Sequence, residues 1–133
     1  MTDRVRDAMV VDPPQLGGGE TAQAAGEALA RPEVRAVFVC EDGRLLGVVT
    51  RKTLVREVVA AGRDPRTTEL RAIAEEPLNT IDADLPLDEA FRLLEERDLE
   101  RVPVLEGVKL VGVVSRAVLQ RRLAEDEPVD EAL

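Results

Sequence analysis

Two short stretches place a glycine, a hydroxyl and an arginine in the same order. "GVVTRKTL" runs from Gly47 to Leu54, and "GVVSRAVL" runs from Gly112 to Leu119. In each, a hydroxyl (Thr50 or Ser115) stands just ahead of an arginine (Arg51 or Arg116). Ser and Thr favour the first position of a helix, where backbone N–H groups lack partners and attract anions. A guanidinium at such a helix start suits a phosphate or a carboxylate. Arg101, just before "VPV", and Arg35, two residues before Val37, add positive charge nearby in sequence. The same residues also have plainer uses. Thr50 and Ser115 serve as helix caps without any ligand, and the arginines serve as solvated surface or as salt bridges of a dimer.

Other chemistry is poorly supplied. The chain has no His and no Tyr, and Ser115 is its only serine. Cys40, the only cysteine, has no base to activate it and lies in an apolar stretch, as a small packed group would. No His and carboxylate cluster offers a metal site. Pairs such as Glu95–Glu96 fall in charged helix faces. "GGG" at Gly17–Gly19 has no Lys-Ser or Lys-Thr after it and reads as a flexible turn rather than a phosphate loop. The chain is expected not to be an enzyme.

The elements that position these residues come from a repeat. Shifted by 65 residues, the stretch from Val37 to Arg56 matches the later stretch at 10 of 20 positions without a gap. The register extends upstream, where Arg6 meets Arg71, Ala25 meets Ala90 and Leu29 meets Leu94. Each copy parses as β-α-β-β-α. In the second, "PLNTID" is a strand and "LPLDEAFRLLEERD" a helix with Leu87, Ala90, Phe91 and Leu94 on one face. "RVPVL" and "LVGVV" are strands around the turn "EGVK", and "SRAVLQRRLA" is the closing helix. In the first, "ETAQAAGEALARP" is a helix, "AVFVC" and "LLGVV" flank the turn "EDGR", and "TRKTLVREVVAAG" closes the copy. Residues 1–64 hold the first motif. Residues 65–133 hold the second, with an acidic tail from Glu125 to Glu131 that reads as frayed.

Composition sets the class. The chain has 133 residues, 44% of them apolar and 34% charged, with a net charge of −9. That suits a soluble globular α/β protein and disfavours nucleic acid and anionic membrane as partners. A single cysteine, no signal-like apolar run and no membrane-length stretch make the expected location cytoplasmic.

The repeated "VPVLEGVKLVGVVS" and "VFVCEDGRLLGVVT", preceded by "VRDAM", resemble a tandem pair of CBS domains, a Bateman module. The resemblance spans about Arg4 to Leu123. It implies two βαββα motifs packed by pseudo-twofold symmetry. It implies a regulatory module that binds AMP, ADP, ATP or S-adenosylmethionine in clefts between the motifs and acts through a homodimer on an effector protein. The family's ligand signature is a Gly, then a Thr or Ser three residues on, then an Asp three further on that holds the ribose. Gly47 with Thr50, and Gly112 with Ser115, match its first two parts. The glycine is expected to let a strand end approach the ligand. Thr53 and Val118 stand where the Asp belongs. Losing that carboxylate costs about 2–4 kcal/mol of binding. By the resemblance, the ligand-binding residues are Thr50, Arg51, Thr53, Thr80, Arg101, Val102, Pro103, Ser115, Arg116 and Val118. Phe38 stands where the first copy would carry the matching proline. The alternative is a ligand-free dimerisation scaffold that has lost nucleotide binding with the Asp.

Overall fold

Two separate cores form, one around each copy of the repeat, in a computed structural model that describes residues 3–77 and 79–126. In chain order, a 3-10 turn at Val5–Asp7 leads to β1 (Val10–Val11), β2 (Gln15–Gly17), α1 (Ala22–Leu29), β3 (Val37–Glu41) and β4 (Arg44–Val49). Next come α2 (Arg51–Leu54), a π-helical turn at Val55–Val59, α3 (Leu70–Ile73), β5 (Ile81–Asp82) and α4 (Leu87–Glu96). The chain then forms β6 (Arg101–Glu106), β7 (Lys109–Ser115) and α5 (Arg116–Asp126). The fold is α/β.

Residues 12–77 with Val108–Leu110 make one compact unit. Here β2 runs parallel to β3, β3 pairs antiparallel with β4, and Arg44 pairs with Lys109. Asp42 and Gly43 have φ of 52° and 81°, the left-handed pair that a two-residue hairpin requires. Thr21 caps α1 by accepting the Ala24 amide. The helix then lays Ala22, Ala25 and Leu29 on Val37, Val39 and Val49, and Val58, Leu70 and Ile73 close the core.

Residues 3–11, Asn79–Gly107 and residues 111–126 make the other unit. In it β5 runs parallel to β6, β6 neighbours β7, and β1 pairs antiparallel with β7. Leu87, Ala90 and Leu94 of α4 share one face and pack on Val102, Val104, Val114 and Leu119. Asp88 and Glu89 sit in the first turn of α4, where the helix dipole favours acids.

The units cut the chain differently from the 64/65 division expected of the repeat. Each unit takes the segment that precedes the other copy. The Val5 amide donates to the Leu85 carbonyl, and the Leu70 amide to Glu20 (2.9 and 2.8 Å). Arg6 donates to Ala83, and Arg71 to Gly18 (2.9 Å each). These contacts lie one repeat apart. An ion pair clips each segment, Arg6 with Asp84 (2.8 Å) and Glu106 (3.8 Å), and Arg71 with Glu41 (2.9 Å). The upstream match of Arg6 with Arg71, and that of Glu41 with Glu106, therefore have a packing cause.

Some local expectations shift. The "PLNTID" strand shortens to Ile81–Asp82. The first copy's closing helix turns π-helical at Val55. Helix α5 reaches Asp126, so the first two residues of the tail read as frayed are helical. The rest of the acidic tail, residues 127–133, lies outside the described residues.

Candidate functional site

The expected site residues fall at two matching places, the start of α2 and the start of α5. At the first, Thr50 and Thr53 satisfy each other. The Thr50 amide donates to Thr53 Oγ1 (3.0 Å), the Thr53 amide donates to Thr50 Oγ1 (3.3 Å), and the two hydroxyls lie 3.1 Å apart. This is a reciprocal capping box with threonine in both roles. Thr53 is completely buried. Arg51 turns away from the helix start, and its guanidinium donates to the Arg31 and Val34 carbonyls (2.9 Å each) in the loop just past α1. A cation near that helix end is favoured by the helix dipole.

At the second place, Ser115 Oγ accepts the Val118 amide (3.2 Å). Val118 is half-buried and lies outside the core, which takes Leu119 instead. Arg116 pairs with Asp98 (3.6 Å) and Glu100 through its guanidinium. Its amide donates to the Glu100 carbonyl (2.8 Å), which sets the start of α5 beside the start of β6. Arg101 opens β6, is exposed, and has no ion pair among the described residues. Val102 and Pro103 are buried behind it. Thr80 is exposed and directly precedes Ile81, whose register partner is Val104, so the parallel ladder carries Thr80 toward Pro103. Seven expected residues thus gather in one unit: Thr80, Arg101, Val102, Pro103, Ser115, Arg116 and Val118. Thr50, Arg51 and Thr53 gather in the other.

The two glycines have a different task from the one expected. A Cβ on Gly47 would meet the Glu75 carbonyl at 2.8 Å and Ala74 Cβ at 2.9 Å. A Cβ on Gly112 would meet Met9 Sδ at 2.7 Å and the Val10 carbonyl at 2.8 Å. Ala74–Glu75 and Met9–Val10 are themselves one repeat apart. The Val48 and Glu75 amides donate to each other's carbonyls (2.8 and 2.9 Å), and Val10 pairs with Val113. The glycines make room for the exchanged segments, which accounts for them without a ligand.

Cys40 is buried on β3, and burial raises its thiol pKa above the ordinary value, as for an inert packed thiol. Phe38 is buried on the same strand.

Comparison with known proteins follows this geometry. The CBS domain model matches residues 5–60 and again residues 70–125. Hypoxic response protein 1 of Mycobacterium tuberculosis is 33% identical over 121 residues, covering 90% of this chain and 85% of that protein. The crystal structure of Hypoxic Response Protein I with two coordinated zinc ions superposes with a TM-score of 0.76 at 31% identity, covering 90% of this chain and 98% of that one. The crystal structure of CBSX2 in complex with AMP superposes with a TM-score of 0.71 at 22% identity, covering 92% and 96%, and shares the fold. The two matched segments contain the two capped helix starts and the two packed glycines, one set each, and the chain belongs to the CBS-domain family as a tandem pair.

Proposed function

We propose that the chain is a regulatory module that takes an adenosine-containing ligand at the start of α5 and passes its occupancy to an effector protein through a homodimer. CBS pairs are generally regulatory rather than catalytic, and one relative in fold is held in complex with AMP. The observation that carries the reading is the contrast between the two helix starts. At α2 the hydroxyls cap each other, Thr53 is buried and Arg51 is held by carbonyls. At α5 the exposed Arg101 and Thr80 stand with Ser115, and Val118 is not committed to the core. Arg101, without an ion pair among the described residues, supplies a cation for a phosphate, and the buried Pro103 offers an apolar edge for a purine. The reading also places the chain in the cytoplasm. Among the described residues no helix is long and apolar enough to cross a membrane.

A second reading has its own support. With no carboxylate at Thr53 or Val118, and with Arg116 held by Asp98 and Glu100, the chain suits a ligand-free dimerisation scaffold. The two coordinated zinc ions are a feature of the Hypoxic Response Protein I structure. This chain has no histidine, its one cysteine is buried, and among the described residues no group of three His, Cys, Asp or Glu side chains is placed to hold a metal ion.

A thermal-shift panel with AMP, ADP, ATP and S-adenosylmethionine separates the two. A ligand that binds only the folded state at 100 times its dissociation constant adds about 2.7 kcal/mol, a shift of several degrees. The sensor reading expects that shift from one adenosine compound, larger in Val118→Asp and smaller in Arg101→Ala. A flat panel at millimolar ligand, in the wild type and in Val118→Asp alike, overturns it in favour of the scaffold.

A further inference from the structure

Arg51 and Arg116 hold the same place in the repeat and find different partners. Arg51 donates to two neutral backbone carbonyls, those of Arg31 and Val34 (2.9 Å each). The guanidinium of Arg116 meets two carboxylates, Glu100 and, at 3.6 Å, Asp98. One residue separates the cases. Arg35 stands in the first copy where Glu100 stands in the second. A like charge nearby leaves Arg51 to the carbonyls, and an acid draws Arg116 to itself.

Glu100 is fixed where it stands. Its carbonyl accepts the Arg116 amide at 2.8 Å, so the two residues meet through backbone and side chain alike. Asp98, in the left-handed turn (φ 53°) just past α4, adds the second acid. The Arg116 side chain is 24% exposed, against 74% for Glu100 and 94% for Asp98. The cation is sheltered and the acids face solvent. A ligand arriving at the start of α5 therefore meets the carboxylates before the guanidinium.

Such a pair adds little to stability, because its acids are solvated. Its effect on a charged ligand is larger. Arg101 and Arg116 bring two positive charges to the place where α4, β6 and α5 meet, and Asp98 and Glu100 bring two negative ones. A helix start with two free arginines would suit a chain of phosphates. Here only Arg101 is without an ion pair among the described residues, and each phosphate beyond the first adds negative charge beside the acids.

We propose that Glu100 sets the specificity of the α5 site. Its carboxylate holds Arg116 as a phosphate would, so the site takes an adenosine compound with at most one phosphate and refuses the longer phosphate chains of ADP and ATP. The inference rests on the adenosine reading above and narrows its ligand class.

Isothermal titration calorimetry with adenosine, AMP and ATP, in magnesium-free buffer, tests it on the wild type and on Glu100→Gln. The Gln keeps an oxygen that accepts from Arg116 and removes the charge. The wild type is expected to bind AMP at least about tenfold more tightly than ATP. Glu100→Gln is expected to narrow that gap at least about threefold and to leave the affinity for adenosine unchanged, which a general loosening of the site would not do. Glu89→Gln, the same charge change in the first turn of α4, is expected to leave the gap as it is. Equal binding of AMP and ATP by the wild type, an unchanged gap in Glu100→Gln, or the same narrowing in Glu89→Gln overturns this inference and leaves the adenosine reading standing. If neither the wild type nor Glu100→Gln binds any of the three, the inference falls. It takes the adenosine reading with it when S-adenosylmethionine also fails to bind.

Discussion

Thr53 and Val118 hold the same place in the repeat and meet opposite surroundings. Thr53 is wholly buried and bonded to Thr50, whereas Val118 is half-buried in the first turn of α5. An aspartate at the first position becomes a buried carboxylate without a cation. At the second it joins a helix start, where acids are favoured. Thr53→Asp is expected to lower stability by about 2–4 kcal/mol, and Val118→Asp by less than about 1 kcal/mol, in chemical denaturation. Equal costs would contradict the assigned environments. Gly47→Ala is expected to cost about 1–3 kcal/mol, because its Cβ would meet the Glu75 carbonyl at 2.8 Å, backbone that cannot swing aside. The hydroxyls were legible in the sequence as helix caps. The reciprocal bond of Thr50 with Thr53, and the turn of Arg51 toward the end of α1, were not. Each depends on which partner a side chain finds in space, and residue type does not specify that. The glycines were legible as places of close approach, with the wrong neighbour inferred.

The helices with a clear apolar stripe were read correctly in type. Leu87, Ala90 and Leu94 define α4 in the sequence and pack as one face in the structure. The repeat called for a leading strand in the first copy but did not place it, and the structure has two short ones there, β1 and β2, because two or three residues carry no detectable alternation. The π-helical turn was read as ordinary helix, since its side chains keep a helical pattern. Gly26 in the middle of α1 carries the usual backbone cost without a steric reason, since a Cβ meets only Leu54 Cδ1 at 3.8 Å. Gly26→Ala is therefore expected to raise the melting midpoint, by the equivalent of about 0.5–1 kcal/mol. A destabilised Gly26→Ala would mean that the α1 wall is tighter than described.

At the scale of the molecule, the repeat was the strongest signal in the sequence. A fixed offset of 65 residues found both copies and their family resemblance. The exchange of leading segments was hidden, because Arg6 and Arg71 match each other in sequence while pairing with acids far away in the chain. The two copies are alike in fold and unlike in use. The first spends its hydroxyls and Arg51 on its own structure, and the second leaves Arg101 and Thr80 exposed in the unit that holds Ser115. The start of α5 is the place proposed to take a nucleotide. Amide chemical-shift mapping of the labelled protein, titrated with AMP, tests it most directly. The predicted result is a set of saturable shifts at Thr80, Arg101–Val102 and Ser115–Val118, with Thr50–Thr53 unmoved. Shifts centred on Thr50–Thr53, or no saturable shift at millimolar AMP, would contradict it.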